Sequence, residues 1–234
     1  MTTFLSTFDE RRLLVTDVGG TLTGGDPDGL QKLRERLDAE RGAVILAYSS
    51  GRSLPLILKE IDTHQLLAPD YVISSVGTEI HRLPGEHPLD EWYRYIRPGF
   101  DRESSLAFIA RHHPHLESQP EESQGPLKIS FFWENAAPES LEALRHELLA
   151  ANLPVQLIYS SDLYLDLIPE RAGTGPAVKF LIDSLVLTPS QVFVCGDSGN
   201  DINLFQYGFR GIVVANASHE LKEAVQLRAY FSHK

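Results

Sequence analysis

The chain has 234 residues and one cysteine, and its 21 lysines and arginines against 32 aspartates and glutamates give a formal net charge of -11. This balance argues against nucleic acid as a partner, because neutralising phosphates requires clustered Lys and Arg. One cysteine excludes an intrachain disulfide, and no apolar stretch approaches the length of a membrane span or a secretory signal. We therefore expect a soluble, cytoplasmic protein with no membrane partner.

Short apolar strands alternate with helices along the chain. The segment DGLQKLRERLDAER predicts a helix with Leu30, Leu33 and Leu37 on one face. Because such alternation is typical of crossover connections, we predict an α/β fold with a Rossmann-like parallel sheet. Four β-rich runs predict its strands: RRLLVTD (11–17), AVILAYSS (43–50), DYVISS (70–75) and QVFVCGD (191–197).

The composition changes between Leu83 and Pro169. Proline-rich and histidine-containing linkers there surround LKISFFWEN, the helix-like PESLEALRHELLAAN, and the strand-like VQLIYSS and YLDLIP. This mixture predicts a smaller α+β module inserted into the larger one. We expect residues 1–82 and 170–234 to form the core and residues 83–169 to form the inserted unit.

Polar side chains follow three of the predicted strands. Asp17, Ser50 and Asp197 each stand at a strand end. A doubly wound sheet binds ligands outside the carboxyl ends of its strands, so we expect these three residues to converge on one site. Asp17 alone could also be a plain turn former, since aspartate often follows a strand for that reason.

Two further motifs strengthen this site, although each has a structural alternative. Ser50, Gly51 and Arg52 offer a hydroxyl, a close backbone approach and a guanidinium to a phosphate, or form an ordinary strand-to-helix turn. In VCGDSGNDINLF, Asp197 and Asp201 flank a Gly/Asn loop and could bring carboxylates to one Mg²⁺, which prefers hard oxygen ligands. The alternative role for this pair is capping and turn formation.

Together, in this order and spacing, the motifs resemble the haloacid dehalogenase superfamily and, more narrowly, its sucrose-phosphate phosphatases. LAYSSGRS, PDYVISSVGTEI, LKIS, LDLIPER and VCGDSGNDINLF carry the resemblance, which covers nearly the whole chain. It implies a cap inserted after the third strand, Mg²⁺ held by Asp17, Asp197 and Asp201, and a phosphorylated disaccharide such as sucrose 6-phosphate as ligand. It also implies that Asp17 is a nucleophile that forms an aspartyl-phosphate.

The sequence departs from this family pattern at two catalytic positions. Gly19 stands where the family has a second aspartate, which protonates the departing sugar oxygen and later deprotonates water. Thr174 stands where the family has a lysine beside the phosphate, and could donate only a hydrogen bond to it. Lys179 could compensate only by reaching back toward the N-terminus of its helix. Neither Asp26 nor Asp28 is expected to replace the lost acid, since helix capping suits them better.

Residues expected around the sugar are retained. Glu79, Lys128, Asp166 and Asn200 match positions that the family uses there. Lys128 could also be a solvated charge on a cap strand, and Asp166 a turn residue at a strand end. The resemblance further implies a helix beyond Lys234, so we expect core surface near that residue to be open to a partner protein.

Two functional classes follow. The first is a non-catalytic or strongly impaired relative of the phosphatases that binds a sugar phosphate. It would have a regulatory or docking role in sucrose-phosphate metabolism, with sucrose-phosphate synthase as a candidate partner. The second is an active Mg²⁺-dependent phosphatase that works through Asp17. The replacements at Gly19 and Thr174 favour the first class.

Overall fold

The chain builds two sheets, of which the larger contains both ends of the described chain. The computed structural model describes residues 11–85, 87–225 and 229–231. Within these residues, the large sheet has seven strands in the order β11-β10-β9-β1-β2-β3-β4, all neighbours being parallel except β3 and β4. The strands are β1 (Arg12–Asp17), β2 (Val44–Ser49), β3 (Tyr71–Ser74), β4 (Glu79–Arg82), β9 (Val192–Gly196), β10 (Arg210–Val213) and β11 (Ala229–Phe231).

The smaller sheet lies between β4 and β9 in sequence. Its order is β5-β6-β8-β7, with antiparallel neighbours throughout. This arrangement confirms the predicted Rossmann-like sheet with an inserted α+β unit, which we call the cap. The cap strands are β5 (Glu117–Ser118), β6 (Ile129–Phe132), β7 (Val155–Ser160) and β8 (Tyr164–Pro169).

Helices cover both sheets. Among the described residues they are α1 (Pro27–Ala39), α2 (Leu54–Thr63), α3 (Asp90–Ile96), α4 (Arg102–His112), α5 (Pro138–Ala150), α6 (Thr174–Leu185), α7 (Ile202–Phe205) and α8 (His219–Val225). In the described part of the chain, none of them combines the length and apolar character that crossing a bilayer requires.

The core consists of three apolar clusters, two of which lie on opposite faces of the large sheet because side chains alternate along its strands. On β1, Leu13 and Val15 join the cluster beneath α6, while Leu14 packs with the cluster beneath α2. A third cluster joins the cap sheet to α4 and α5. Trp92 and Ile96 of α3 belong to the first cluster, although they lie beyond the predicted end of the core at residue 82. The proposed division of the chain at residues 82 and 169 stays a prediction.

Helix α1 is less well covered than the other long helices. Asp26 caps its N-terminus by accepting hydrogen bonds from the backbone N–H groups of Asp28 and Gly29, as expected. Its predicted apolar face lies over the sheet, yet none of its residues is buried. Leu30, Leu33 and Leu37 instead line an apolar cavity of about 240 Å³ between α1 and the strands.

The expected open surface near Lys234 concerns side chains after Val225, which lie outside the described residues.

Candidate functional site

Three neighbouring strands deliver the predicted polar residues to one edge of the large sheet. β9, β1 and β2 are adjacent and parallel, and Asp17 at the end of β1 is in register with Ser49 of β2. Ser50 and Asp197 directly follow β2 and β9. Since parallel strands end at the same edge, the fold itself brings these side chains together.

Asp17, Asp197 and Asp201 form a compact carboxylate cluster. One carboxylate oxygen from each lies within 4.8 Å of the other two. Asp201 is held in place because its Oδ2 accepts hydrogen bonds from the N–H groups of Asp197 (3.0 Å) and Ser198 (3.2 Å). Thr21 donates its hydroxyl to Asp197 Oδ1 at 3.1 Å. The loop after β1 and the turn after β9 therefore position the cluster together.

The three carboxylates repel one another in a buried environment. Burial raises the pKa of Asp17 well above its ordinary value, and the neighbouring Asp201 and Asp197 raise it further. Burial likewise raises the pKa of Asp197, and it raises the pKa of Asp201 to about 7. Asp17 Oδ2 is buried and has no hydrogen-bond partner among the described residues. A divalent cation would neutralise this charge and accept that oxygen as a ligand, so the three residues fit a metal.

The two glycines after Asp17 differ in what they allow. Gly20 has a φ of +84°, and a Cβ there would lie 2.2 Å from Asp197 Oδ2, so a larger residue would strain the backbone and displace the Asp197 carboxylate. Gly19 is not among the described glycines with a positive φ, and a Cβ there would meet no atom within 4 Å. Gly19 therefore leaves open space where a longer side chain could stand.

The backbone of the segment Ser50-Gly51-Arg52 accepts hydrogen bonds from the turn that contains Ser75 and Val76. Ser75 and Val76 have φ values of 52° and 58°, in the left-handed region that such residues seldom adopt. Their N–H groups donate to the carbonyl oxygens of Arg52 (2.8 Å) and Ser50 (3.2 Å), respectively. Ser50 Oγ also accepts a hydrogen bond from the N–H of Arg52. These contacts fix the backbone of the predicted phosphate-binding segment.

A cavity of about 540 Å³ lies between this edge of the large sheet and the cap. Asp17, Ser50 and Asn200 line it from the core side, while Lys128 and Asp166 line it from the cap. Several polar residues of the cap wall were not predicted from the sequence. The sequence shows only that they lie beside the predicted strands or in the turns next to them. These residues are Gln119, Glu122, Ser123, Ser160, Ser161 and Tyr164.

Lys128 connects the cap to the core. Its Nζ donates to the carbonyl oxygen of Gly51 at 2.9 Å and lies 3.6 Å from Asp166 Oδ1. Ser130 donates its hydroxyl to the same Asp166 oxygen at 2.5 Å. Burial nevertheless raises the pKa of Asp166 above its ordinary value, against the opposing effect of Lys128. Lys128 is thus a buried, paired charge, and the alternative of a solvated one is wrong.

Four predicted site residues do not line this cavity: Asp197 and Asp201 of the carboxylate cluster, Thr174 and Glu79. Thr174 is buried at the start of α6, and its hydroxyl has no hydrogen-bond partner within the described ranges. Glu79 accepts a hydrogen bond from the Ser74 hydroxyl at 2.9 Å and lies 3.2 Å from His81 Nε2, a contact that lowers the Glu79 pKa. Lys179 does not reach back to the start of its helix, since it pairs with an exposed Asp183 at 3.1 Å.

Comparison with known proteins gives a consistent result. A family model described as sucrose-6F-phosphate phosphohydrolase matches residues 10–234. Sucrose-phosphatase 1 from Nicotiana tabacum is 35% identical over 221 residues, which are 90% of this chain and 52% of that protein. Mannosylfructose-phosphate phosphatase from Agrobacterium fabrum is 32% identical over 225 residues, which are 95% of this chain and 90% of that protein.

Among solved structures, the sucrose-phosphatase from Synechocystis sp. PCC6803, in complex with sucrose and phosphate, superposes with a TM-score of 0.88. It is 35% identical in sequence, and the match covers 96% of this chain and 93% of that chain. The chain spans about half the length (52%) of the plant sucrose-phosphatases that it matches.

Proposed function

This chain belongs to the sucrose-6F-phosphate phosphohydrolase family, and we propose that it binds a phosphorylated sugar together with Mg²⁺ but hydrolyses it slowly or not at all. The observation that carries this proposal is the open space at Gly19, close to an intact carboxylate cluster. The parts needed for binding are present, while the group needed for proton transfer is missing.

The carboxylate cluster supports Mg²⁺ as the cation. Phosphatases of the haloacid dehalogenase superfamily generally use this ion, and Asp17, Asp197 and Asp201 offer the hard oxygen ligands that it prefers. When bound, Mg²⁺ neutralises charge on the carboxylates and on a phosphate. The buried Asp17 Oδ2, which has no hydrogen-bond partner among the described residues, would gain a favourable contact with such an ion.

The cavity walls support a phosphorylated sugar as the ligand. Ser50, Gly51 and Arg52 are proposed to bind the phosphate at the core wall. Thr174, the buried first residue of α6, is proposed as a further phosphate contact, although it does not line the cavity. Hydroxyls, amides, carboxylates and the ring of Tyr164 on the cap wall suit the hydroxyl groups and faces of a disaccharide. Lys128, Asp166, Asn200 and Glu79 are proposed as sugar contacts, although Glu79 does not line the cavity.

The reaction itself requires a proton for the departing sugar oxygen. In the proposed chemistry an Asp17 oxygen forms a bond to phosphorus while the bond from phosphorus to the sugar oxygen breaks. The departing alkoxide must take up a proton, and Gly19 has no side chain to donate one. A positioned acid contributes about 10²–10⁴-fold to such a step. The uncharged Thr174 compounds the loss, because positive charge beside the phosphoryl oxygens stabilises the transition state.

An active phosphatase is the second candidate, and the intact carboxylate cluster is the observation that favours it. An ester with a better leaving group needs less help from an acid, so Asp17 could still react with it. For the impaired form we propose a regulatory or docking role beside an enzyme that makes the sugar phosphate, with sucrose-phosphate synthase as the candidate partner.

Calorimetry and a phosphate-release assay test the proposal on the same sample. With Mg²⁺ present, sucrose 6-phosphate should bind, while phosphate release should stay far below the ordinary enzyme range of about 1–10³ s⁻¹. Asp17→Asn should remove the response to Mg²⁺ and serves as the control for site-specific binding. Turnover within the ordinary range would favour the active candidate, and absence of binding with Mg²⁺ would remove both.

A further inference from the structure

An ion pair on the core wall of the 540 Å³ cavity joins two residues that are eight positions apart. Arg52 follows the end of β2, and Glu60 lies on α2, which begins two residues after Arg52. Arg52 Nη1 donates to Glu60 Oε1. Leu56 and Glu60 lie one helical turn apart and both line the cavity. The helix that follows the phosphate-binding segment therefore places a carboxylate against the guanidinium of that segment.

The Glu60 carboxylate depends on this pairing. Its side chain is 18% exposed, against 55% for Arg52, and its Oε2 is buried with no hydrogen-bond partner in the described part of the molecule. A carboxylate largely removed from water is unfavourable without a nearby positive charge. Glu60 thus holds the guanidinium turned toward α2 and cancels its charge at the cavity wall.

The second cationic side chain of the cavity lining, Lys128, is paired as well. Lys128 donates to the Gly51 carbonyl oxygen and lies beside Asp166. Two cationic side chains line the cavity, against four carboxylates: Asp17, Glu60, Glu122 and Asp166. Within the described lining, a bare anion therefore meets no positive charge that is not already paired.

We propose that Glu60 is a specificity-determining residue that acts through Arg52. By engaging the guanidinium, Glu60 lowers the affinity of the cavity for a phosphate group whenever no divalent cation is present. The cavity then favours the neutral hydroxyl groups of a ligand over its phosphate. This inference rests on the proposed function, because it concerns the site in which the phosphorylated sugar is proposed to bind.

The test is Glu60→Gln, with inorganic phosphate as the probe in buffer that contains EDTA. Glutamine keeps an acceptor oxygen for Arg52 but removes the negative charge. We expect inorganic phosphate to bind at least about tenfold more tightly than to the parent, a change of about 1.4 kcal/mol, because the negative charge beside the guanidinium is removed. Asp62→Asn is the matched control, because it removes the same charge from an exposed position of α2 that does not line the cavity.

A double variant separates the role of Arg52 from a general change in charge. Glu60→Gln with Arg52→Gln leaves no unpaired buried charge, and it should bind phosphate no better than the parent. Glu60→Ala, which removes the same carboxylate without burying an amide, should also gain affinity and serves if Glu60→Gln does not fold. Unchanged affinity in both single variants, an equal gain in Asp62→Asn, or a gain that survives in the double variant would overturn the inference.

The probe keeps this test independent of the proposed function. Inorganic phosphate without metal requires no recognition of the sugar, so a gain in Glu60→Gln would stand even if sucrose 6-phosphate and Mg²⁺ failed to bind. Conversely, binding of sucrose 6-phosphate with Mg²⁺ and no effect at Glu60 would leave the proposed function intact and remove only the role of Glu60.

Discussion

Restoring a carboxyl group at position 19 is the most direct perturbation of the proposed impairment. A Cβ at Gly19 would meet no atom within 4 Å, and the residue is not among the described glycines with a positive φ. The Cβ of Gly19→Asp therefore displaces no neighbouring atom, and the backbone needs no positive φ. By contrast, Thr174 is 2% exposed, so a lysine there would have to be forced into the packed first turn of α6. Gly19→Asp therefore disturbs the packing less than a lysine at position 174 would.

The expected gain can be bounded from the surroundings. A positioned acid contributes about 10²–10⁴-fold, which corresponds to about 3–5 kcal/mol of activation free energy. Mg²⁺ bound to the carboxylate cluster would offset much of the charge that these carboxylates direct at an aspartate in position 19, so their repulsion adds little to the expected gain. Because Thr174 supplies no charge to the phosphate, we expect the lower end, about 10²-fold.

Phosphate release from sucrose 6-phosphate with Mg²⁺ is the assay, with two control variants. Gly19→Asn has the same shape but cannot donate a proton at neutral pH, so it should not gain activity. Gly25→Asp makes the same substitution at another glycine whose Cβ would meet nothing within 4 Å, and it controls for the added charge. If Gly19→Asp binds Mg²⁺ and sucrose 6-phosphate yet releases phosphate no faster than Gly19→Asn, the missing acid is not the cause of impairment.

Three further variants test the geometry around the cavity. Gly20→Ala should lower stability by about 1 kcal/mol or more and weaken Mg²⁺ binding, because its Cβ would strike Asp197; an unchanged Mg²⁺ titration would contradict this. Asp17→Asn should raise the melting temperature in EDTA at neutral pH, by about 2–4 °C per 1 kcal/mol of relieved repulsion. Because the pKa of Asp17 is raised in the folded protein, its ionisation lowers the free energy of unfolding as pH rises above 3.8. The difference in melting temperature between Asp17→Asn and the parent should therefore shrink in acid, and a pH-independent difference would refute the assignment. Lys128→Met should lower the free energy of unfolding by up to about 3–5 kcal/mol, and by more at about pH 8 than at about pH 5. Burial raises the pKa of Asp166, and its ionised form is left unpaired in this variant. Denaturant melts that lose equal stability at both pH values would count against this.

The sheet and the carboxylate cluster were predictable because their signals are local. The strands β1, β2, β3 and β9 of the large sheet are short apolar runs, and the residue after each lies at the carboxyl edge because these strands are parallel. Asp197 and Asp201 also share one short loop, so their proximity follows from the chain itself. The strand β4 was not predicted, since four residues that follow a tight turn carry little periodic signal.

The walls of the cavity could not be predicted in the same way. Glu60 is one of several charged residues on α2, and only the docking of that helix beside Arg52 distinguishes it from a solvated carboxylate. Tyr164 lies at the start of β8, beside a turn whose distance from the core depends on how the cap packs against the core. Thr174 was expected beside the phosphate, yet the path of the chain into α6 leaves it outside the lining.

The absence of buried residues in α1 has a consequence for hydrogen exchange. Segments with few buried apolar contacts open locally at a lower free energy than the whole protein unfolds, and their backbone N–H groups then exchange with solvent. Helix α1 has no buried residue and lies over a groove of about 240 Å³, whereas six residues of α6 are buried. We therefore expect the N–H groups of α1 to exchange faster than those of α6, and larger apolar side chains that fill the groove to slow this exchange.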